Sequence, residues 1–225
     1  MYSISITTFN RERKGRKNYF KESWYSFTRA GILTNPLIRS IDIFVGHEPD
    51  EWTKEVMPIH NKVNVHYLDK ESDHQANIYA VMRHAVSDMS TAYHLYLEDD
   101  IIVRDDYIET AFYDVLEFQL NVGNIEKTSV FLDFKCTQTN KYRDGYREEA
   151  LNTFTCVMFF KLTIQRFLTK HPVDYPPGVA LDCIFGRAVL QPTYTKVPGL
   201  FSHIGLESAA HKRCFKQEIG NKHDL

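Results

Sequence analysis

Hydrophobic and polar residues follow two alternating patterns along the chain. Short segments such as residues 2–6 alternate apolar with polar side chains, which is typical of half-buried β-strands. Between them apolar residues recur every three or four positions, as in Phe20, Trp24 and Phe27, which is typical of a helix with one buried face. Gly31 is a natural end for that helix. The chain therefore opens with a strand, a loop and a helix.

The same patterns continue to residue 190. The later predicted strands cover residues 41–45, 63–67, 93–97, 130–134 and 153–160. The predicted helices cover about 18–30, 106–120, 162–169 and 179–190. A further helix is predicted to begin with a capping box of Ser72 and Gln75, and its buried face would carry Ile78, Val81, Met82 and Ala85. Residues 142–146 are polar and aromatic and are expected to form a surface loop between two strands; alternatively this is a mobile loop whose Tyr and Arg side chains contact the acceptor.

Strands separated by helices of this length favour a mainly parallel sheet that is covered by helices on both faces. The 225 residues contain no Pro/Gly/Ser-rich linker, and 43% of them are hydrophobic, which is enough for one sizeable core. We therefore predict a single α/β, Rossmann-like domain with a central twisted sheet flanked by helices.

Composition narrows the function classes. No apolar run approaches the roughly 18–20 residues that span a bilayer, and polar residues interrupt the first apolar segment, so we expect a cytoplasmic protein without a signal peptide or membrane span. The four cysteines are widely spaced, which favours reduced thiols over a zinc cluster or a disulfide framework. The net charge of −2 gives no polyanion signal, although basic residues concentrate at 11–17 and 211–216.

Candidate chemistry lies at two strand ends. In sheets of this kind, ligands bind beyond the carboxyl ends of the strands, which selects the loop at 7–11 and the acidic cluster at 98–100. Three consecutive carboxylates between apolar segments repel one another, and burying them without a partner costs roughly several kcal/mol. A divalent cation such as Mg²⁺ or Mn²⁺ would resolve this conflict. The alternative is a strand end at which the acids are hydrated.

The cluster Glu98-Asp99-Asp100 resembles the DxD-type motif of the GT-A glycosyltransferases, with Glu where the first Asp is commonest. Three other segments follow in the family's order. Residues 5–11 resemble the opening strand and nucleotide loop, and residues 75–77 resemble the helix that precedes the acidic strand. Residues 197–205 resemble the closing segment of the N-acetylglucosaminyltransferases that branch N-glycans.

This resemblance implies a single GT-A-like domain over residues 1–225. Residues 1–103 would be the half that binds the nucleotide-sugar, 104–210 the half that binds the acceptor, and 211–225 a basic tail. The implied activity is metal-dependent transfer of a sugar from a nucleotide-sugar, expected to be a UDP-sugar, to a hydroxyl acceptor with inversion at the anomeric carbon.

The resemblance also implies roles for individual residues. Asp100 and His203 would bind the metal, and because imidazole suits Mn²⁺ better than Mg²⁺, a His ligand favours manganese. Asp182 would be the catalytic base; alternatively its charge only complements a helix N-terminus. His203 is alternatively a structural histidine. The expected donor-binding residues are Thr7, Thr8, Phe9, Asn10, Arg11, Asn77, Glu98 and Asp99.

Other functions remain open at this point. A nucleotidyltransferase would have a Gly-rich, basic loop after the first strand, whereas this chain has Thr-Thr-Phe-Asn-Arg at 7–11. A non-catalytic glycan- or nucleotide-binding module of the same fold is a second alternative. The acceptor is expected to be a glycan or, less favoured, a hydroxylated base in nucleic acid contacted by the two basic clusters; net acidity and the absence of a DNA-binding motif argue against nucleic acid.

Overall fold

The computed structural model describes residues 1–68, 74–103, 131–133, 142–143, 146–149, 156–171, 185, 193–196 and 201–204. Strands in these ranges are β1 (Tyr2–Thr8), β2 (Ile38–Val45), β3 (Val63–Tyr67), β4 (Tyr93–Glu98), β5 (Ile101–Val103), β6 (Phe131–Asp133), β7 (Tyr142–Arg143), β8 (Tyr146–Glu149), β9 (Cys156–Phe160), β10 (Thr193–Lys196) and β11 (Phe201–His203). The α-helices are α1 (Phe20–Arg29), α2 (Glu51–Val56), α3 (His74–Ser87) and α4 (Lys161–Lys170), and a short 3₁₀ helix covers Arg11–Lys14.

A mixed sheet in the order β3-β2-β1-β4-β9-β6-β10-β8-β7 forms the centre of this structure. The first four strands are parallel, because β1 pairs in parallel with β2 and β4, and β2 pairs in parallel with β3. Strand β9 runs antiparallel between β4 and β6, while β6 and β10 are parallel. A separate antiparallel pair joins β5 to β11. The predicted α/β sheet with flanking helices is confirmed.

The two faces of β1 bury different kinds of side chain. Tyr2, Ile4 and Ile6 are fully buried in an apolar core shared with α1. Because side chains alternate across a strand, Ser3, Ser5 and Thr7 lie on the opposite face, toward the core that contains α3 and α4. That face therefore combines buried polar groups with an apolar helix surface, and most of the functional candidates described below belong to it or to its rim.

Helix α1 fixes the end of β4. It stops where Gly31 adopts a left-handed φ of 90°, as the sequence predicted. Two buried serines on its inner face bind the chain just beyond β4: Ser23 Oγ donates to the carbonyl of Asp99 at 2.8 Å, and Ser26 Oγ accepts from Val103 N at 2.9 Å. The turn that carries the acidic cluster is thus anchored to the helix beneath it.

The structure differs from the sequence prediction in the bounds or type of several elements. Strand β1 extends to Thr8 and β2 starts at Ile38, so both are longer than predicted. Helix α2 was not predicted, and residues 142–146, predicted as a loop, contribute to β7 and β8, which pair with each other. The predicted helices at 106–120 and 179–190 lie outside the described residues, apart from residue 185, and so does Ser72. Within the described ranges, no helix has the length and hydropathy needed to cross a membrane.

Candidate functional site

The carboxyl ends of β1 and β4 lie side by side. In the register of these parallel strands Thr7 is the partner of Glu98, so the loop that follows β1 meets the acidic cluster that follows β4. The sequence prediction that these two segments share one edge of the sheet is confirmed. The site is therefore built from residues about 90 positions apart in the chain, as the hydrogen bond between Phe9 and Asp99 shows.

Asp99 is the centre of this contact. Its Oδ2 accepts a hydrogen bond from Thr8 Oγ1 at 2.6 Å and a longer one from Phe9 N at 3.4 Å. Its Oδ1 accepts from the Arg11 guanidinium at 2.6 Å. The carboxylate therefore holds the nucleotide-loop candidate in place, and its own orientation is fixed by three donors from that loop.

Arg11 provides a positive charge inside the acidic cluster. Its guanidinium lies 2.6 Å from Asp99 Oδ1 and 3.0 Å from Asp100 Oδ2, and the exposed fractions of these side chains are only 5–7%. Burial lowers the pKa of Arg11, but the carboxylates of Asp99 and Asp100 outweigh it and hold that pKa above its usual value. We expected these acids to need a counter-charge, and Arg11 provides one. The sequence did not indicate this ion pair.

His74 is a second counter-charge that sequence reasoning missed. It begins α3, and its Nε2 lies 2.9 Å from Glu98 Oε1. Burial lowers the pKa of His74, yet the charges of Glu98, Asp100 and Asp99 raise it above its ordinary value. The signal in the sequence was its position directly before residues 75–77, which resemble the helix that precedes the acidic strand.

The loop after β1 is rigidly held. Asn10 caps the 3₁₀ helix by accepting from Glu12 N, its Nδ2 donates to Asp50 Oδ2 at 2.9 Å, and its backbone N–H donates to His47 Nε2 at 3.0 Å. Gly15 ends the 3₁₀ helix with a left-handed φ of 67°, a conformation that favours glycine. Three segments of the chain thus fix the position of Asn10.

Aromatic and cationic groups flank the loop. The rings of Phe9 and His47 meet edge to face with centroids 5.2 Å apart, and Lys14 Nζ lies 4.5 Å from the Phe9 ring centroid. A flat apolar ring beside positive charge suits a base or a phosphorylated ligand.

The other donor-binding candidates lie deeper. The hydroxyls of Thr7 and Tyr96 are hydrogen-bonded at 2.7 Å, and both side chains are buried. Asn77 is 4% exposed and donates to the carbonyl of Phe44 at 3.4 Å, while its Oδ1 has no hydrogen-bond partner among the described residues. Asn77 therefore has a free acceptor, whereas the Thr7 hydroxyl is occupied by an internal bond.

The backbone of His203 lies close to the acidic cluster. In the β5–β11 pair His203 is the partner of Ile101, and Ile204 N donates to the carbonyl of Asp100 at 2.7 Å. Residues that are 100 positions apart in sequence thus become neighbours, as the proposed metal role of His203 requires. Asp182, the predicted base, lies outside the described residues.

The chemistry of the acidic cluster suits a hard divalent cation, because carboxylate oxygens are the ligands that Mg²⁺ and Mn²⁺ favour. In the structure these acids have protein cations as partners: Arg11 pairs with Asp99 and Asp100, and His74 pairs with Glu98. The strand that carries His203 runs beside β5, which follows the cluster.

Comparison with known proteins identifies the fold. No protein-family model and no curated sequence matches the chain. Solved structures do match: S. aureus TarS 1-349 in complex with UDP-GlcNAc has a TM-score of 0.59 at 14% identity over 92% of this chain. The same protein with UDP gives 0.58 at 14% identity over 89%, and S. aureus TarS 1-349 alone gives 0.57 at 13% over 89%.

These matches show that the chain has a GT-A-like glycosyltransferase fold. It spans 59% of the length of the TarS 1-349 structures and 37% of the longer S. aureus TarS structure. S. aureus TarS is the particular protein to which this similarity refers, and at 13–14% identity it is a likeness of fold.

Proposed function

We propose that this protein is a glycosyltransferase that transfers a sugar from a UDP-sugar to a hydroxyl acceptor. The observation that carries the proposal is the contact between the loop after β1 and the carboxylates after β4, held together by Arg11 and Asp99. This contact occurs on a fold similar to that of a protein whose crystal structure contains UDP-GlcNAc. A UDP-sugar, with UDP-GlcNAc as the first to test, is the donor that this likeness favours.

In the proposed arrangement the nucleotide binds across the ends of β1 and β4. Phe9 and Asn10 contact the base and ribose, together with Thr7 and Thr8, while Asn77 offers its unpaired Oδ1. Glu98 and Asp99 contact the ribose and sugar hydroxyls. Arg11 and His74 would face the diphosphate. Its negative charge would then pair with the two side chains that the carboxylates of Asp99 and Glu98 bind in the structure.

We propose that the sugar is transferred by direct displacement of UDP at the anomeric carbon. The acceptor oxygen forms a bond to the anomeric carbon while the bond from that carbon to the diphosphate oxygen breaks, and its electron pair leaves with UDP. The proton of the acceptor hydroxyl passes to a base, for which we propose Asp182, so the product is inverted at the anomeric carbon. The acceptor proposed is a glycan, with a hydroxylated nucleic-acid base as the less favoured class.

We further propose that Asp100 and His203 hold a divalent cation, Mn²⁺ in preference to Mg²⁺. When bound, such an ion stabilises the negative charge that develops on the departing diphosphate. Arg11 pairs with Asp100 in the structure, and beside such an ion its guanidinium would neutralise part of the charge of the diphosphate.

Isothermal titration with UDP, in the presence of Mn²⁺ or of a chelator, tests this assignment. Asp100→Asn is expected to abolish the metal-dependent part of the UDP affinity while the circular dichroism spectrum stays unchanged. Asp88→Asn is a matched control, because Asp88 is exposed and lies beyond the end of α3, far along the sheet from the acidic cluster. If the chelator does not change the affinity for UDP, Asp100 does not hold a metal ion for the diphosphate. Arg11 would then be the cation that binds the diphosphate.

A panel of nucleotide-sugars, assayed for hydrolysis with and without Mn²⁺, tests the enzyme class. Release of UDP from UDP-GlcNAc or another UDP-sugar supports the proposal, and Asp182→Asn should then bind UDP normally but turn over slowly. Binding of UDP with no hydrolysis or transfer of any donor would favour a non-catalytic binding module instead. Release of pyrophosphate from a nucleoside triphosphate and a sugar phosphate would indicate a nucleotidyltransferase.

A further inference from the structure

A second cluster of chemically active side chains lies on the α3 face of the sheet, and its residues differ from those of the proposed donor site. Asp42 comes from the middle of β2, His66 from β3 and His84 from the last part of α3. His66 Nε2 lies 2.9 Å and His84 Nε2 lies 3.1 Å from the same atom, Asp42 Oδ1. One ligand-type atom from each residue falls within 4.8 Å of the others.

The carboxylate of Asp42 is buried and held by its neighbours. Only 4% of its side chain is exposed. Asn64 Nδ2 donates to Oδ1 at 3.1 Å and Ser40 Oγ donates to Oδ2 at 3.1 Å. These two donors, from β3 and β2, set the orientation of the carboxylate.

Both imidazole rings are also held in place. The ring of Phe44 stacks on His66 at 4.7 Å and meets the ring of His84 edge-on at 5.4 Å, and the two imidazole centroids are 4.7 Å apart. The side chains of His66 and His84 are 34% and 36% exposed, so solvent reaches them while Asp42 stays buried. This arrangement combines a rigid donor set with an open side.

Two imidazole nitrogens and one carboxylate oxygen form a typical ligand set for zinc with an open fourth position. Bond lengths of about 2.0–2.1 Å place neighbouring ligand atoms of a tetrahedral ion roughly 3.3 Å apart. The two nitrogen–oxygen separations of 2.9 and 3.1 Å are already close to that spacing. Ser40 and Asn64 supply the hydrogen bonds to the ligating carboxylate that commonly surround such ions.

We propose that Asp42, His66 and His84 bind one divalent metal ion of borderline softness, with zinc as the favoured ion and water in the open position. The ion would take the place of the Nε2 protons that face Asp42, each ring would keep one proton on Nδ1, and any surplus proton would be released to solvent. The ion would thereby join strand β3 and the end of α3 to β2. This site is independent of the proposed transferase activity, since it shares no residue with the donor site.

The test is a titration of the metal-stripped protein with Zn²⁺ and, separately, with Co²⁺, whose visible absorption reports tetrahedral coordination. The expected result is tetrahedral Co²⁺ absorption that saturates at one ion per chain, and a rise in the Tm on Zn²⁺ addition. In the double variant His66→Gln/His84→Gln the tetrahedral absorption and this rise in the Tm should both be lost. Both side chains are about one-third exposed, so the variant is expected to fold, which far-UV circular dichroism verifies.

Three further variants make the outcome decisive. His60→Gln is the matched control, because His60 is exposed and lies outside the cluster, and it should bind Zn²⁺ normally. Asn64→Ala should weaken binding by about 10–100-fold through the carboxylate. Asp100→Asn should leave the tetrahedral Co²⁺ absorption intact, because it changes only the acidic cluster. Absence of that absorption in the unmodified protein, absorption that survives in the double variant, or absorption that is lost in Asp100→Asn would each overturn the proposal.

Discussion

At the scale of residues, the charged side chains of the acidic cluster pair with residues that are distant in sequence. The sequence could indicate Asp99 and Asp100, because adjacent acids between apolar segments need a specific explanation. It could not indicate that Arg11 lies between them, because that contact depends on a single 3₁₀ turn that directs one of several nearby basic residues inward. The sequence of the loop contains Arg11, Arg13, Lys14 and Arg16, and only the fold distinguishes them.

His94 should make the protein acid-sensitive. Its side chain is buried, Nδ1 is hydrogen-bonded to Ser3 Oγ at 2.9 Å, and Nε2 has no hydrogen-bond partner among the described residues. Burial, with a smaller effect from the Lys161 charge, lowers the pKa of His94 to about 3. The unfolded chain takes up a proton below about pH 6.5. The folded chain does so only near pH 3, so stability falls as the pH drops through this window.

At pH 5 this single residue should cost about 2 kcal/mol of the free energy of unfolding relative to pH 7. Urea unfolding at the two pH values measures the loss. His94→Asn places an amide near the position of Nδ1 and does not titrate, so the difference between its stabilities at pH 7 and pH 5 should be smaller by about that amount. Equal pH dependence in the two proteins would show that His94 is not buried in its neutral form.

Arg11→Met should destabilise the protein at neutral pH by about 3–5 kcal/mol, because it leaves two carboxylates that are 5% exposed without their cation. Urea unfolding at pH 7 measures this loss, with Arg13→Met, a change in a half-exposed neighbour, as the matched control.

At the scale of elements, the loop after β1 depends on a helix that the sequence prediction missed. Asp50 caps α2 in a reciprocal capping box with Thr53, and the same carboxylate accepts hydrogen bonds from Asn10 and Arg13 of the loop. Helix α2 has only 6 residues, which is too short for apolar periodicity to reveal it. The longer helices α1, α3 and α4 were predictable because apolar residues recur at helical spacing along the buried face of each.

Asp50→Ala is expected to lower the free energy of unfolding by about 1–2 kcal/mol through loss of the cap. It should also weaken UDP binding, because Asn10 loses its partner at 2.9 Å. Asp50→Asn keeps a capping oxygen and should lose much less stability. Urea unfolding and UDP titration of both variants separate the two effects, and equal losses in both would show that charge rather than capping carries the role of Asp50.

At the scale of the molecule, the sheet order explains what could be predicted. Parallel strands β1 to β4 alternate with helices, so pattern and connection length were enough to predict them. The antiparallel strand β9 between β4 and β6 could not be recognised as reversed, because a buried strand has the same apolar pattern in either direction. The juxtaposition of β5 and β11 was likewise hidden, since it joins segments about 100 residues apart.

The two faces of β1 should respond in opposite ways to truncation. Ile6→Ala removes a fully buried side chain from the α1 face and should cost about 2–5 kcal/mol. Ser5→Ala removes a buried hydroxyl that has no hydrogen-bond partner among the described residues, so it should be neutral or slightly stabilising. Chemical denaturation measures both. A large loss in Ser5→Ala would mean that a buried water or ligand satisfies that hydroxyl.

Strand β3 is the last strand on its side of the sheet, and most of its side chains are only half-buried. If it detaches, β2 presents an open edge beside the fully buried Ile41, Ile43 and Val45, and such an edge templates association between chains. The backbone pairing of β2 with β3 and the contact between Asp42 and His66 oppose that release. In a stored sample, amide hydrogen exchange at residues 63–67 should therefore become faster before turbidity appears. The resistance of the protein to aggregation then depends on how firmly these five residues stay in the sheet.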